Sequence, residues 1–145
     1  MRWLLTSWQF WALLSAAFAA LTAVLAKVGV EGVNSDLATF IRTIVVVCAL
    51  AVFVAAAGIW QPPSTIPARA WFFLVLSGLA TGASWMCYFR ALKIGDVARA
   101  APLDKLSVVM VAVFAVIFLG ERLTLGHWLG VLLMAAGAGL LAFRA

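Results

Sequence analysis

The sequence predicts an all-α membrane protein, a polytopic bundle of five transmembrane helices. Of its 145 residues, 67% are apolar and only 10% are charged. Soluble domains of this size are about half apolar and about a quarter charged. The composition therefore excludes an ordinary soluble globule, a disordered segment and a nucleic-acid-binding module. The apolar residues also fall into five runs, each close to the length of about 20 residues that a helix needs to cross a bilayer.

The five runs define the predicted helices, which short polar segments connect. Helices are expected rather than strands, because lipid offers no partner to an open backbone N–H or C=O group and the runs do not alternate in polarity. Once they are assigned, the chain forms one transmembrane domain over residues 1–145, and no segment is left for a soluble domain. The helices cover residues 8–26, 37–60, 71–92, 102–119 and 126–143.

The first helix needs to be distinguished from a signal peptide. Arg2, an apolar run and the small residues of Ala17-Phe18-Ala19 resemble a secretory signal with its cleavage site. We expect no cleavage, because the apolar run continues to Ala26 and its removal would take one helix from the bundle.

Breakers and small residues define the later helices. The Gln61-Pro62-Pro63 sequence is expected to stop the second helix. In the third helix, Gly78 and Gly82 allow a close approach of helices, which we expect within one subunit more often than at a dimer face. Pro102 is expected in the first turn of the fourth helix, where its missing N–H is not needed.

Five helices place the two termini on opposite sides of the membrane. The positive-inside rule favours a cytoplasmic C-terminus, because more basic residues flank the helices on that side. The excess is small, so insertion of the chain in both orientations stays open. The basic residues on the C-terminal side are Lys27, Arg90, Lys93, Arg99 and Arg144, and those on the N-terminal side are Arg2, Arg69 and Arg122.

Polar residues inside the predicted spans are the candidates for substrate binding, because charged groups in a membrane are costly and are commonly functional. Arg42 is the deepest cation of the second helix. It has two open interpretations: a substrate or ion-pair role, with a carboxylate such as Asp104 as its partner, or snorkelling of a long side chain to the headgroups. The candidate substrate-binding residues are Arg42, Trp85, Tyr88, Asp104 and Lys105.

The other candidates have their own alternatives. Trp85 and Tyr88 share a helix face and would form the wall of the site, although core packing is the commoner role of such a pair. Asp104 and Lys105 point about 100° apart on a helix, so we expect that they do not neutralise each other. Arg90 stands near a helix end, where snorkelling is expected.

Catalytic and metal-binding patterns are missing from the sequence. The only histidine, His127, begins the last helix, and neither a G-x-S-x-G nor an H-E-x-x-H sequence occurs. The cysteines Cys48 and Cys87 lie in apolar runs without ligand spacing, so they predict neither a disulfide nor a zinc site. We therefore expect no enzyme, no cofactor and no metal.

The order of these features resembles the EamA family of the drug/metabolite transporter superfamily, over essentially the whole chain. The most specific part is the sequence from Leu119 to Leu123, which precedes a last helix with spaced glycines. The segments that carry the resemblance are Lys27-Val28-Gly29, Asn34-Ser35-Asp36 with Arg42, Tyr88-Phe89-Arg90-Ala91-Leu92, Gly95-Asp96-Val97-Ala98, Pro102-Leu103-Asp104-Lys105-Leu106, Phe118-Leu119-Gly120-Glu121-Arg122-Leu123, Gly130 and Gly137.

The resemblance implies a transporter of small metabolites in the cell membrane, often an exporter. Typical members are similar to two five-helix units in tandem with opposite orientations, whereas this chain has one unit. We therefore expect a homodimer that works by alternating access, and an antiparallel dimer would fit the small charge excess. The small multidrug exporters are similar in pairing two copies of a short chain. They have an acidic residue in the first helix, whereas the first helix here has no carboxylate.

Two other functions stay open at the level of the sequence. One is a non-transporting membrane subunit or scaffold, which would need no solvated cavity. The other is a flippase for a lipid or polyprenyl carrier, which differs from a metabolite transporter only in its substrate. The expected partners are a small-molecule substrate, the lipid bilayer and a second copy of the chain, and no nucleic acid.

Overall fold

The computed structural model describes residues 7–143, and this part of the chain is helical with no β-strand. Arg2 and Arg144, two residues used above to assign sidedness, lie outside the described range. The helices in chain order are α1 (Trp8–Val30), α2 (Ser35–Ala56), a 3₁₀ turn (Pro63–Thr65), α3 (Ala68–Ile94), α4 (Val97–Asp104), α5 (Ser107–Leu119) and α6 (Leu125–Phe143).

Five helical spans are long and apolar enough to cross a membrane: α1, α2, α3, α6, and α4 with α5 as one span over Val97–Leu119. This confirms the predicted all-α fold with five spans. Most long apolar side chains of these helices are exposed. In a bilayer such side chains face lipid, which is as apolar as they are.

The helix α2 begins earlier than the predicted residue 37, because Asn34 caps it. The side-chain Oδ1 of Asn34 accepts hydrogen bonds from the backbone N–H groups of Asp36 (2.8 Å) and Leu37 (3.2 Å). A side-chain acceptor at this position satisfies N–H groups that the first helical turn leaves without a partner. The cap fixes Ser35 as the first residue of the helix.

The same helix ends at Ala56, before the predicted end at Trp60. Gly58 has a φ of +64°, in the left-handed region. The N–H of Ile59 then donates to the carbonyl oxygen of Val54 at 3.3 Å. This is the Schellman arrangement, in which a glycine without a Cβ turns the chain out of the helix.

The fourth span differs more from its prediction. The helix α4 begins at Val97, so Pro102 lies inside it and the predicted position in the first turn is wrong. The helix starts earlier because the N–H of Ala100 already donates to the carbonyl oxygen of Asp96, at 2.9 Å.

Pro102 interrupts the hydrogen bonding of this span. Because proline has no N–H, the carbonyl of Ala98 loses the donor that a continuous helix would give it. Two residues, Lys105 and Leu106, separate α4 from α5. There the N–H of Leu106 reaches back only three residues, to the carbonyl of Leu103 at 3.0 Å. The fourth span is therefore two short helices with a break between them.

The chain divides into two compact units. In the described residues, unit 1 contains α1 up to Leu25 together with everything from Ile94 onwards, and unit 2 runs from Ala26 to Lys93. Within unit 1, α6 packs mainly against α4 and also against α5. Ala138 of α6 is one of the buried residues.

The buried residues of unit 2 are concentrated at one end. This end combines the last turn of α1, the first turns of α2 and the last turns of α3. Its buried residues are Ala26, Val30, Ser35, Thr39, Phe89 and Leu92. Towards the opposite end, residues 72–81 of α3 are exposed on every face.

The glycine pair of α3 lies in and just beyond this exposed stretch. Within unit 2 no atom lies within 4 Å of the position that a Cβ at Gly78 or Gly82 would take. The expected packing of this pair inside the subunit is therefore not found within its own unit.

Candidate functional site

Arg42 of α2 lies over the indole ring of Trp85 of α3 in unit 2. The guanidinium carbon Cζ is 4.1 Å from the centroid of that ring and 5.6 Å from the centroid of the Phe89 ring. Both distances are within the ~6 Å over which an aromatic ring attracts a cation. Two of the residues predicted from the sequence are therefore in direct contact.

The antiparallel course of α2 and α3 explains this contact. At 1.5 Å per residue, Arg42 stands about 10 Å from the first residue of α2, and Trp85 about 14 Å from the last residue of α3. The two side chains thus meet at a similar depth. Phe89 lies one turn from Trp85 on the same face of α3, so both rings point at the guanidinium.

Phe89 is the member of this cluster that the sequence prediction missed. It is 3% exposed and belongs to the core of unit 2. The spacing of four residues from Trp85 was the available signal, because residues at that spacing share a helix face.

Arg42 has no ionic or hydrogen-bonding partner among residues 7–143, where its contacts are the two aromatic rings. In the same range no side-chain nitrogen or oxygen is both buried and without a hydrogen bond. The N–H groups of Arg42 therefore remain accessible. The site presents a cation whose five donors are not used by the described part of the protein.

Asp36 of α2 is already paired. Arg90 donates from Nε to Oδ1 at 3.0 Å and from Nη2 to Oδ2 at 2.7 Å. The expectation that Arg90 would reach to the headgroups is replaced by this bidentate ion pair. The pair is possible because Asp36 in the first turn of α2 stands beside the last turns of the antiparallel α3.

Two lysines bind backbone carbonyl groups at the same end of unit 2. Lys27 donates from Nζ to the carbonyl oxygen of Leu92 at 2.8 Å, and Lys93 donates to the carbonyl oxygen of Val33. These contacts link α1, the turn before α2, and α3. They stabilise the end of unit 2 that is nearer to the contact between Arg42 and Trp85.

The hydroxyl groups next to Arg42 on α2 donate to their own helix. Thr39 donates to the carbonyl oxygen of Ser35 at 2.9 Å, and Thr43 donates to that of Thr39 at 2.8 Å. Because each hydroxyl has only one proton, these side chains have acceptor capacity left but no donor. Arg42 is therefore the donor group of this stretch of α2.

The third predicted residue of unit 2 is Tyr88. It lies on α3 one turn from Trp85 and is half-buried. The structure thus places Arg42, Trp85 and Tyr88 in one unit, on two helices.

Asp104 and Lys105 belong to unit 1, at the break of the fourth span. Asp104 is the last residue of α4, and Lys105 follows it outside the helix. The Nζ of Lys105 is 3.2 Å from Oδ2 of Asp104. The expectation that these neighbours would not neutralise each other is therefore wrong. It assumed a continuous helix, whereas the break allows the long lysine stem to fold back onto the carboxylate.

No group of three or more histidine, cysteine, aspartate or glutamate residues that could hold a metal ion occurs within residues 7–143. Both thiols, Cys48 and Cys87, are free and exposed. The described chemistry of the site in unit 2 is that of a cation, its aromatic neighbours and one paired carboxylate, Asp36.

Comparison with known proteins gives two matches and one negative result. Residues 6–143 match the EamA-like transporter family. A protein of Sinorhizobium sp, "Uncharacterized transporter in cobO 3'region", is 72% identical over 136 residues, which cover 94% of this chain and 96% of that protein. No solved structure matches the chain.

Proposed function

The chain belongs to the EamA-like transporter family and is a membrane transporter, and from this premise we propose that it exports small metabolites across the cell membrane. The observation that carries the proposal is the contact between Arg42 and Trp85, at 4.1 Å. A cation this far inside a spanning helix, with no ionic partner in the described range, is typical of a substrate pathway.

The substrate site of unit 2 would consist of Arg42, Trp85 and Tyr88. Arg42 supplies charge and hydrogen-bond donors, and the aromatic side chains form the wall. In unit 1, Asp104 and Lys105 at the helix break form a separate candidate element. Broken spans support such a role, because irregular backbone inside a membrane is tolerated where it lines a cavity.

A homodimer working by alternating access is part of the proposal. The family match covers the chain once, over residues 6–143. In transporters built from inverted repeats, the site lies between two repeats, so a single unit needs a second copy. The small excess of basic residues on one side supports an antiparallel arrangement of the two copies.

The antiparallel arrangement is tested by mapping both termini in the same cells. Reporters that are active only in the cytoplasm or only outside it would be fused to the N-terminus and to the C-terminus. Signals from both reporters at each terminus are expected if the chain inserts in two orientations. A single fixed orientation would exclude the antiparallel dimer.

A scaffold without a transport pathway is distinguished by accessibility labelling. Single cysteines at positions 42, 85 and 104 would be introduced after replacement of the exposed Cys48 and Cys87. A transporter should let a charged thiol reagent reach these positions from at least one side, whereas a scaffold should shield all three. A cysteine at Val47, on a different face of α2 from Arg42 and 60% exposed, is the lipid-facing control and should not react.

A further inference from the structure

We propose that Arg42, held by Trp85 and Phe89, recognises an oxyanion, so that the transported molecule carries a carboxylate or a phosphate group. The inference rests on the proposed transport function, since it assigns the substrate class of that site. Three features of unit 2 carry it: the uncompensated charge, the accessible donors and the absence of an available carboxylate among its residues.

The charge balance of unit 2 leaves Arg42 without a counter-ion. The unit contains two carboxylates, Glu31 and Asp36. Asp36 is engaged by both hydrogen bonds of Arg90. Glu31 lies in the exposed turn before α2, about 10 Å or more along the helix axis from Arg42. Neither carboxylate is available to compensate Arg42, and an anionic ligand would do so.

The guanidinium of Arg42 is held in place while its donors stay open. The ring centroids of Trp85 and Phe89 lie 4.1 and 5.6 Å from its Cζ, and these contacts hold the guanidinium beside α3. Arg42 is half-buried, and none of its nitrogen atoms is fully buried without a hydrogen bond, so its N–H groups are at least partly accessible. A planar guanidinium held in this way is suited to two parallel hydrogen bonds to a carboxylate or phosphate.

The neighbouring polar groups favour an anion over a cation. Thr39 and Thr43 donate their hydroxyl protons to backbone carbonyls of α2, so they do not compete with Arg42 as donors. A cationic substrate would meet the positive charge of Arg42 and find no unpaired carboxylate in α2 or α3. An uncharged substrate would leave the charge of Arg42 unpaired.

The first experiment measures the reactivity of Arg42 without needing to know the substrate. The purified protein in a non-ionic detergent would be treated with phenylglyoxal, which modifies accessible arginines, and each arginine would be quantified by mass spectrometry. Phosphate and succinate serve as oxyanion probes, and glucose and choline chloride serve as neutral and cationic controls. Arg69, whose Cζ is 5.9 Å from the Phe73 ring, is an internal control with the same kind of aromatic contact.

Phosphate and succinate are expected to slow the modification of Arg42 but not that of Arg69, and the two controls should protect neither. Equal rates at Arg42 with and without oxyanions would overturn the inference. Equal protection of Arg42 by glucose would also overturn it.

The second experiment uses variants and a different readout. Stabilisation of the protein by phosphate would be followed as a shift in the thermal unfolding temperature. Arg42→Gln should weaken phosphate binding about ten- to hundredfold, since it removes the charged partner of the hydrogen bonds. Arg42→Lys keeps the charge without the planar guanidinium, so its phosphate affinity should lie between those of the unchanged protein and Arg42→Gln. Arg69→Gln should bind like the unchanged protein, and unchanged affinity of Arg42→Gln would contradict the proposal.

A lipid headgroup and a free metabolite are two sources of the same oxyanion chemistry. Repeating the modification in nanodiscs of phosphatidylcholine alone and with phosphatidylglycerol separates them. Protection by phosphatidylglycerol without added anion assigns the oxyanion to a headgroup. Protection by soluble phosphate or succinate in phosphatidylcholine alone assigns it to a metabolite.

Failure of the oxyanion site and failure of the exporter are distinguishable. Protection of Arg42 without export of any metabolite from cells would keep the oxyanion site and remove the exporter. Export of uncharged compounds without protection of Arg42 would keep the exporter and remove the oxyanion site.

Discussion

Arg90 of α3 and Asp36 of α2 share two hydrogen bonds, of 3.0 and 2.7 Å, and thereby occupy the only carboxylate in these two helices. One turn or more deeper, Arg42 has aromatic rings in place of a carboxylate. Arg90 and Arg42 thus differ in their contacts. Arg90 is neutralised and joins the helices, whereas Arg42 has no carboxylate partner among the described residues.

The pair between Arg90 and Asp36 should contribute to the stability of unit 2. Asp36→Asn should lower the thermal unfolding temperature in detergent, because Arg90 loses its charged acceptor. The double swap of Asp36→Arg with Arg90→Asp should recover part of the loss. Asp96→Asn is the control, since its contact with Arg99 is longer, 4.0 Å, and lies within one turn of the chain. Equal shifts for Asp36→Asn and Asp96→Asn would show that the pair does not join the helices.

The aromatic contact of Arg42 should set the affinity of the site. Trp85→Leu keeps an apolar side chain but removes the ring, so phosphate binding should weaken by about two- to thirtyfold, the range expected from a cation–π contact. Trp85→Phe should retain more binding than Trp85→Leu, because phenyl is the weaker of the two rings but still attracts the cation. Titration of the thermal shift with phosphate measures both. The role of the ring is refuted if Trp85→Leu binds phosphate as tightly as Trp85→Phe.

The break of the fourth span should matter for transport more than for folding. Pro102→Ala restores an N–H for the carbonyl of Ala98, so the thermal unfolding temperature should rise, with a gain of up to about 3 kcal/mol in stability. Export should fall at the same time, because the added hydrogen bond to Ala98 would stiffen α4 just before the break at Lys105 and Leu106. Pro62→Ala, outside the spans, should change neither quantity. Undiminished export by Pro102→Ala would show that the missing hydrogen bond at Pro102 has no part in transport.

Two glycines should respond to alanine in opposite ways. Gly120 ends α5 with a φ of +69°, which an alanine adopts only with strain, so Gly120→Ala should destabilise the protein by about 1–2 kcal/mol. Gly82 is helical, and within unit 2 no atom lies within 4 Å of the place that an added Cβ would take. Gly82→Ala should therefore be neutral or stabilise by up to about 1 kcal/mol. Unfolding measured for both variants in the same detergent tests the contrast. A loss of stability in Gly82→Ala would reveal a close neighbour at this position from outside unit 2.

The five spans could be predicted from the sequence because they depend on local apolar length alone. Their ends could not be predicted to the residue, since those depend on particular hydrogen bonds. Because Asn34 caps the helix, α2 begins before the predicted residue 37, and because Gly58 is left-handed, α2 ends before the predicted Trp60. The interior position of Pro102 was missed for a related reason. A proline is most common at a helix start, but the lipid environment allows it within a span when neighbouring groups compensate.

The candidate site was predictable in part. Polarity inside an apolar run identified Arg42, and aromatic spacing identified Trp85. The partner of each charge was not predictable, because it depends on which helix faces meet. Arg90 of α3 forms an ion pair with Asp36 of α2, and Lys105 forms one with its sequence neighbour Asp104 at the break.

Export of oxyanions through Arg42 is tested most directly by the profile of metabolites outside cells that express the protein. Cells expressing the unchanged chain, Arg42→Gln, Arg69→Gln or no transporter would be compared by mass spectrometry at equal membrane abundance. We expect extracellular enrichment of compounds that carry a carboxylate or phosphate, retained by Arg69→Gln and lost in Arg42→Gln. An Arg42→Gln profile identical to that of the unchanged chain would contradict the role of Arg42 in export.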